Sequence, residues 1–305
     1  MLQRFRSRGF FFCDTNEEKM SESNNRMTPP LPYLNAEFLK SREARIIRIV
    51  AEYLEPHTRL RQHRIRDTIV FFGSARSLPP EMARAKLESI EKEIELAGRT
   101  PELEVAHKQA EQAGKLARYY EDAMELARRI TEWSKGLTGH HHFIVCSGGS
   151  HGMMEAANRG ASLARGKTIG LNIQLPLEQE VNQYVSRELI FNFHYFFMRK
   201  FWFVYPAKAL VVFPGGFGTM DELFEVLTLI QTKMPRKTMP VILFGKEFWD
   251  EVFNFDALVR WGVVSESDLA IFHKTDSVDD AFDHLTTRLG QLYLTPKGLE
   301  QVKLT

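Results

Sequence analysis

The chain has 305 residues, of which 44% are hydrophobic and 26% are charged, a composition typical of globular proteins with enough apolar material for a sizeable core. Its 40 basic and 39 acidic residues give a formal charge of +1, so the overall charge favours neither nucleic acid nor a membrane surface as a partner. Two cysteines and the lack of a long apolar run exclude disulfide scaffolds and transmembrane proteins, and we expect a cytoplasmic protein.

The N-terminal part divides into a polar lead-in and a helical segment. Residues 1–34 are predicted to be disordered, and the apolar run at 9–13 is shorter than the ~7–15 residues of a signal-peptide core. Residues 35–66 have a helical pattern that Asn35 can cap. We interpret its many arginines as a solvated face or an oligomer contact, with nucleic-acid binding as the weaker alternative.

A buried strand and a helical hairpin follow. Residues 69–76 read IVFFGSAR, a β-branched and aromatic run that ends in glycine and serine, as a parallel strand and its exit loop do. Residues 80–135 are almost wholly helical in composition, and Pro101 suits the first turn of a second helix. We therefore predict helices over 80–98 and 101–135, forming an insertion that packs on the edge of the sheet or on a partner subunit.

From residue 142 onward, short apolar strands alternate with helices. The predicted strands are 142–149, 168–173, 188–193, 209–216 and 239–245, and the predicted helices are 152–165, 195–205, 219–233, 247–260 and 277–290. This alternation predicts a parallel sheet covered on both faces. We predict a doubly wound, Rossmann-like α/β domain over residues 67–292, with 293–305 as a tail.

Three of the strand ends carry loops suited to binding an anion. They read Gly73-Ser74-Ala75-Arg76, Ser147-Gly148-Gly149-Ser150-His151-Gly152 and Pro214-Gly215-Gly216-Phe217-Gly218-Thr219. In doubly wound sheets, ligands bind beyond the carboxyl ends of the strands. Glycines let backbone N–H groups approach a phosphate, the following helix offers its positive N-terminus, and Thr219 adds a hydroxyl donor. The alternative is that the glycines only make tight turns.

The loops favour a mononucleotide or a sugar phosphate. No lysine-serine/threonine pair follows the last glycine of either later loop, as a P-loop NTPase requires. Ser147 replaces the first glycine of the dinucleotide fingerprint, and the next strand, TIGLNI, has no acidic residue for a ribose hydroxyl. The sequence therefore argues against ATP and NAD.

Charged residues near the third loop are the candidate reactive groups. Arg199 and Lys200 interrupt a markedly apolar stretch, where a charge is costly unless it is paired or faces a ligand. Arginine suits a bidentate phosphate or carboxylate contact, whereas Lys200 can extend its amine to solvent. Glu222 lies three residues after Thr219, so a capping box is the alternative to a catalytic role.

These residues resemble the signature of the LONELY GUY (LOG) family. Arg199-Lys200 followed by ALVVFPGGFGTMDELFE is similar to the R-K and P-G-G-x-G-T-x-x-E motifs of that family, and CSGGSHGMMEAANRGA and FFGSAR are similar to further family blocks. The resemblance covers roughly residues 68–275. The N-terminal segment and the hairpin resemble the longer bacterial branch.

The resemblance implies a nucleoside 5′-monophosphate phosphoribohydrolase, an enzyme similar to AMP nucleosidase that releases the base and ribose 5-phosphate. It implies catalytic roles for Arg199 and Glu222, without a cofactor or metal. It also implies phosphate binding by the third loop and a nucleotide site lined by Gly148 and Gly149. We add Gly73, Ser74 and Lys200 to this predicted nucleotide site. A homodimer or a higher homo-oligomer is expected.

Several alternatives stay open from the sequence. Many family members have Met-His-x before Arg-Lys where this chain has Phe196-Phe197-Met198, so both AMP and an N6-modified AMP are candidate substrates. A non-catalytic nucleotide carrier or sensor is the second functional class. A lysine decarboxylase would need a lysine for pyridoxal phosphate, and none stands out. His140-His141-His142 alternate between faces as they enter a strand, so we interpret them as a surface cluster rather than a metal site.

Overall fold

A computed structural model of the chain describes residues 30–138, 142–175, 180–233 and 238–295. Nearly all of the predicted lead-in and tail, and two of the three consecutive histidines, lie outside these ranges. The chain divides into a short unit that ends at Ile46 and a large unit that begins at Ile47. Within the described residues, no helix combines the length and apolar character needed to cross a membrane.

The sheet is all-parallel, as the sequence predicts. Its strands are β1 (Asp67–Phe72), β2 (Phe143–Ser147), β3 (Thr168–Ile173), β4 (Ile190–Phe193), β5 (Ala207–Val212), β6 (Val241–Phe244) and β7 (Phe272–Thr275). They are arranged in the order β4-β3-β2-β1-β5-β6-β7, and each neighbouring pair is parallel. The direction of winding reverses between β1 and β5, so this fold is a doubly wound Rossmann-like sheet with its switch point there.

Helices cover both faces of this sheet. The short unit contains α1 (Ala36–Lys40). The helices that follow it are α2 (Arg45–Gln62), α3 (Pro80–Ala97), α4 (Pro101–Gly136), α5 (Met153–Leu163), α6 (Phe196–Val204), α7 (Phe217–Gln231), α8 (Lys246–Val252), α9 (Phe255–Arg260) and α10 (Val278–Leu289). Successive strand residues point to opposite faces, so β1 sends Ile69 and Phe71 into the core under α4, α5 and α10 and Val70 and Phe72 into the core under α6 and α7.

Three features differ from the sequence prediction. The edge strand β7 was not predicted. It is short and only partly buried, so it lacks the apolar run that identifies the central strands. The predicted helix 247–260 is two helices, because the Asn254 side chain accepts a hydrogen bond from the Ala257 amide at 2.9 Å and starts α9 anew. The predicted segment 35–66 is likewise divided between α1 and α2.

The long helix α4 belongs to the core rather than to an edge. Its N-cap Thr100 accepts a hydrogen bond from the Leu103 amide at 3.3 Å, and its C-terminal half buries Tyr120, Leu126 and Ile130 against the central strands. This half is the crossover helix that joins β1 to β2. The part of the hairpin outside the core is therefore α3 and the N-terminal half of α4.

Helix α2 braces the start of α6. The Glu52 carboxylate accepts hydrogen bonds from the His194 and Tyr195 amides at 2.8 and 3.2 Å, and the Glu52 carbonyl accepts one from the Trp202 indole at 3.0 Å. Helix α6 has no side-chain cap from its own N-cap residue, Tyr195, and an anion is favourable at a helix N-terminus. Glu52 therefore supplies from α2 the cap that α6 lacks.

Candidate active site

The three glycine loops meet at the carboxyl edge of the sheet, around the switch point. The Ser74 amide donates to the carbonyl of Pro214 at 2.9 Å, and the Met153 amide donates to the carbonyl of Ser74 at 3.0 Å. A Cβ on Gly152, which has a φ of +70°, would collide with the backbone of the first loop. The loops are thus joined by backbone contacts that leave little room for side chains.

A buried amide network fixes the second loop. The Asn182 amide nitrogen donates to the Ser150 carbonyl at 2.8 Å and to the Asn158 side-chain oxygen at 2.9 Å. Ser147 Oγ donates to the same Asn158 oxygen at 2.7 Å and accepts from the Gly149 amide at 3.1 Å. Ser147 therefore organises the turn where a dinucleotide-binding loop has a glycine.

Helix α7 starts inside the third loop. Its first residue is Phe217 and its N-cap is Gly216, and no side chain caps it, so the capping-box interpretation of Glu222 is wrong. A Cβ on Gly216 or Gly218 would meet no atom within 4 Å, and both glycines line the open cleft. The uncapped N-terminus leaves backbone N–H groups for an anion, next to the Thr219 hydroxyl.

Arg199 is held from two sides. It lies on α6, its Nε donates to the Leu171 carbonyl in β3 at 2.7 Å, and its guanidinium carbon lies 5.0 Å from the centre of the Phe203 ring. Burial lowers the pKa of Arg199 from its ordinary value, and the charge of Glu222 opposes that shift. Arginine keeps its charge despite such a shift, so a positive group is fixed on the floor of the cleft.

Glu222 is a buried carboxyl group with a free oxygen. Its residue is 6% exposed, and its Oε2 has no hydrogen-bond partner. Burial raises the pKa of Glu222 to about 7, against the lowering charges of Lys200 and Arg199 and together with the raising charges of Glu225 and Asp221. A carboxyl group that titrates near neutral pH beside a cleft is suited to acid–base chemistry or to stabilising a cation.

The cleft has a volume of about 1570 Å³. It brings together nine of the eleven predicted site residues, namely Gly73, Ser74, Gly148, Arg199, Gly215, Gly216, Gly218, Thr219 and Glu222. The other two, Gly149 and Lys200, do not line it. Gly149 packs against Gly170 beneath the second loop, and Lys200 has its amine 2.8 Å from Asp221 and 2.9 Å from Glu225.

Sequence reasoning missed the residues that line the cleft from outside the glycine loops. Arg76 also lines the cleft; it belongs to the first glycine loop, two residues after Ser74, but was not among the predicted site residues. Lys86, Gln112 and Lys115 come from α3 and α4, and nothing in their local sequence distinguishes them from solvated helix residues. Only the tertiary position of the hairpin identifies them.

The described residues contain no cluster of three or more histidine, cysteine or acidic side chains that could hold a metal ion. His142, the one described member of the histidine run, is exposed, with its Nδ1 3.3 Å from the Ser134 carbonyl. Cys146 is buried beside Arg199, and burial raises the pKa of its thiol. A buried neutral thiol of this kind is a packing group rather than a nucleophile.

Comparison with known proteins agrees with the motifs. A family model described as "Possible lysine decarboxylase" matches residues 154–285. A rice (Oryza sativa subsp. japonica) protein named "Probable cytokinin riboside 5'-monophosphate phosphoribohydrolase LOGL5" is 28% identical over 196 residues, which cover 63% of this chain and 73% of that protein. A Mycobacterium marinum protein named "Cytokinin riboside 5'-monophosphate phosphoribohydrolase" is 28% identical over 145 residues, which cover 45% of this chain and 73% of that protein. The predicted resemblance to the LOG family is thereby confirmed.

Among solved structures, a molybdenum cofactor binding protein from the phototrophic bacterium Rippkaea orientalis aligns with a TM-score of 0.44 and 16% identity, covering 73% of this chain and 98% of that chain.

Proposed function

From the resemblance to the LOG family, we propose that the protein hydrolyses the N-glycosidic bond of a purine nucleoside 5′-monophosphate. The observation that carries the proposal is Glu222, a buried carboxyl group with an unpartnered oxygen, in a cleft that also contains Arg199 and the uncapped start of α7. An anion site, a fixed cation and a carboxyl group that titrates near neutral pH are the parts that this reaction needs.

The 5′-phosphate docks on the third loop. The N–H groups at the start of α7 and the Thr219 hydroxyl donate to its oxygens, with Gly215 packed against Thr219 to hold that side chain. Gly73 and Ser74 form the neighbouring wall across the switch point. Binding energy from the phosphate fixes the ribose over Glu222, so that orientation is provided before any bond breaks.

Cleavage separates C1′ of the ribose from N9 of the purine. The ribose becomes oxocarbenium-like as the bond breaks, and the Glu222 carboxylate stabilises that positive charge. Glu222 then accepts a proton from the attacking water, whose hydroxyl adds to C1′ to give ribose 5-phosphate. Arg199 stabilises the electron pair that moves onto the purine, and the proton from water ends on the released base. The overall reaction consumes one water.

AMP and N6-modified AMP are both proposed substrates. Phe196 lines the cleft at the position where many family members have the Met-His pair. An aromatic ring accepts a purine and tolerates an added apolar group. The ratio of the two rates decides between a housekeeping nucleosidase and a cytokinin-forming enzyme.

A lysine decarboxylase fits these residues less well. A lysine that forms a Schiff base is activated by desolvation or by a neighbouring cation. The cleft lysines Lys86 and Lys115 are exposed on the hairpin. Lys200 does not line the cleft, and its amine is ion-paired to two carboxylates.

The test is release of the free base, followed chromatographically, from AMP and from isopentenyladenosine monophosphate. We expect release by the wild-type protein and by Glu225→Gln, a matched control on the same helix outside the main cleft, and none by Glu222→Gln. Circular dichroism establishes that both variants fold. Tight nucleotide binding by the wild-type protein without base release would contradict the proposal and favour the carrier or sensor function.

We also propose a cytoplasmic homo-oligomer. Three aromatic residues around the site, Phe196, Phe197 and Phe217, are exposed, and Phe217 is 96% exposed. Exposed apolar groups of this size in one region are typical of a protein interface. Sedimentation or light scattering measures the mass, and a monomer at micromolar concentration would contradict this proposal.

A further inference from the structure

Strand β3 and the second glycine loop each hold one side of Arg199. Arg199 Nε donates to the Leu171 carbonyl of β3 at 2.7 Å. On the other side, a Cβ on Gly148 would lie 2.6 Å from Arg199 Nη2, so the backbone of the second loop lies against the end of the guanidinium. The position of Arg199 therefore depends on how β3 and the second loop are placed relative to each other.

Backbone pairing between β2 and β3 ends before the second loop. The last matched residues of this ladder are Ser147 and Gly170, so Gly148 lies beyond it. Gly149 has a φ of +77° and packs against Gly170, where a Cβ would lie 3.0 Å from the Gly170 Cα. Two glycines in contact have no side chains that could interlock. The loop is held to β3 by polar side chains that come from other parts of the chain.

Asn158 of α5 joins the two elements. It is fully buried, and its Nδ2 donates to Thr168 Oγ1 at 2.5 Å and to the Ile169 carbonyl at 3.3 Å, both on β3. Its Oδ1 accepts hydrogen bonds from Ser147 Oγ at 2.7 Å and from Asn182 Nδ2 at 2.9 Å. One side-chain amide thus directs its donors to β3 and its acceptor to the groups that hold the second loop.

Asn182 holds the residues that follow Gly148. It lies between β3 and β4 and is buried. Its Nδ2 lies 3.0 Å from the Gly149 carbonyl and 2.8 Å from the Ser150 carbonyl, and its backbone amide donates to the same Gly149 carbonyl at 2.8 Å. Its Oδ1 accepts a hydrogen bond from the Tyr184 amide at 3.1 Å. This last bond turns the side-chain nitrogen of Asn182 toward the loop.

We propose that Asn182 and Asn158 are positioning residues for the reaction and that they act through Arg199. The contacts form a closed ring, which runs from Arg199 to β3, through the two asparagines to the second loop, and back to Arg199. This inference rests on the proposed function, since it takes the Arg199 guanidinium to stabilise the leaving purine. Neither asparagine lines the cleft, so their effect on the reaction is indirect.

Burial makes this network stiff. A buried amide that leaves its partner loses the hydrogen bond without gaining one to water, so each bond opposes displacement of the loop. A displacement of about 1 Å at a group that contacts the reacting atoms can cost about 100-fold in rate. A change at Asn182 should therefore affect the chemical step although the residue lies outside the cleft.

The first measurement separates kcat from KM for base release from AMP by the full chain. Asn182→Ala removes the side-chain donor, and we expect kcat to fall at least about tenfold while KM stays within about threefold, because the third loop is untouched. Asn182→Ser keeps a shorter donor and should give an intermediate kcat. The matched control, Ser134→Ala, removes a buried hydrogen bond from the Phe143 amide at the opposite end of β2 and should keep the wild-type kcat.

The second measurement reports on Arg199 without turnover. Hydrogen exchange of the arginine Nε–H groups is followed by NMR, and the Arg199 signal is assigned by its loss in Arg199→Lys. Because this N–H donates to a carbonyl of the central sheet, it should exchange slowly in the wild-type protein. We expect Asn182→Ala to speed this exchange about tenfold and Ser134→Ala to leave it unchanged.

Two results would overturn the positioning role and leave the proposed function standing. One is a kcat that falls as far in Ser134→Ala as in Asn182→Ala, and the other is an exchange rate of the Arg199 Nε–H that Asn182→Ala does not change. If the wild-type protein releases no base, the proposed function fails, and the exchange rate alone decides whether Asn182 fixes Arg199.

Discussion

The guanidinium of Arg199 occupies the space that a side chain at position 148 would need. A Cβ built on Gly148 would lie 2.6 Å from Arg199 Nη2, although the two residues come from different strand–helix units of the sheet. The arginine therefore requires a glycine at this position of the second loop. It fixes how close the positive charge lies to the strand end.

We expect Gly148→Ala to reduce turnover far more than stability. The methyl group collides with the guanidinium of Arg199 and with Met154 Sδ. A shift of about 1 Å at a reacting group can cost about 100-fold in rate. The measurement is kcat for base release together with the melting temperature. Gly136→Ala is the control, because a Cβ there meets no atom within 4 Å. Wild-type kcat in Gly148→Ala would show that the position of Arg199 is not critical.

The pH dependence of the reaction should follow Glu222. Because burial raises its pKa to about 7, the carboxylate needed to stabilise the oxocarbenium ion is lost as the pH falls through 7. We expect kcat/KM to fall tenfold per pH unit below that value and to level off above it. A profile that falls above pH 7 instead would assign the protonated form of Glu222 to the reaction.

The same pKa shift makes a prediction about stability. The pKa of Glu222 is higher in the folded state than its ordinary value of 4.5. Below pH 4.5 the group is protonated in both states and leaves the free energy of unfolding unchanged. As the pH rises from 4.5 to about 7, the unfolded state ionises first and the free energy of unfolding falls. Urea unfolding at pH 8 should therefore give Glu222→Gln a free energy of unfolding about 1–3 kcal/mol higher than that of wild type. This difference should narrow toward pH 5. The exposed Glu88→Gln should show no such trend.

Lys200 should act on catalysis through Glu222. Among the neighbouring charges, Lys200 lowers the pKa of Glu222 most, whereas Glu225 raises it. Lys200→Gln should therefore move the acidic limb of the pH–rate profile upward, and Glu225→Gln should move it downward. Both variants should approach wild-type kcat at the alkaline plateau. If the acidic limbs of the two variants move in the same direction, Lys200 does not act through the pKa of Glu222. If Lys200→Gln also loses kcat at the alkaline plateau, Lys200 acts at the substrate instead.

The sheet was predictable because its central strands are buried on both faces. TIGLNI, at residues 168–173, is buried throughout and coincides with β3, and glycines follow the ends of β1, β2 and β5. Strand β7 has the sequence FHKT and is half-buried at an edge, so it has neither signal. Strong apolar burial is readable from one sequence, whereas an edge strand depends on its neighbour.

The candidate site was predictable only where chemistry and local structure coincide. Glycine loops at strand ends can be identified from the local sequence, and so can an arginine within an aromatic stretch. Lys200 is adjacent to Arg199 in sequence, but successive helical residues are about 100° apart, so its amine reaches α7 rather than the cleft. Lys86 and Lys115 line the cleft because of the length and direction of α4. No local sequence pattern at these two residues encodes that length or direction.

The N-terminal helix α2 should matter for catalysis although it lies outside the cleft. Glu52 accepts the His194 and Tyr195 amides at the start of α6, and Arg199 lies on the next turn of that helix. Glu52→Ala removes the cap, which typically costs about 1 kcal/mol, and lets the first turn of α6 loosen. We expect a lower melting temperature, a reduced kcat and an unchanged KM for phosphate-anchored substrate, because the third loop is untouched. Glu52→Gln retains an oxygen acceptor and should recover part of both losses. A variant that loses stability with a normal kcat would limit α2 to a structural role, because Arg199 would then keep its position without the cap.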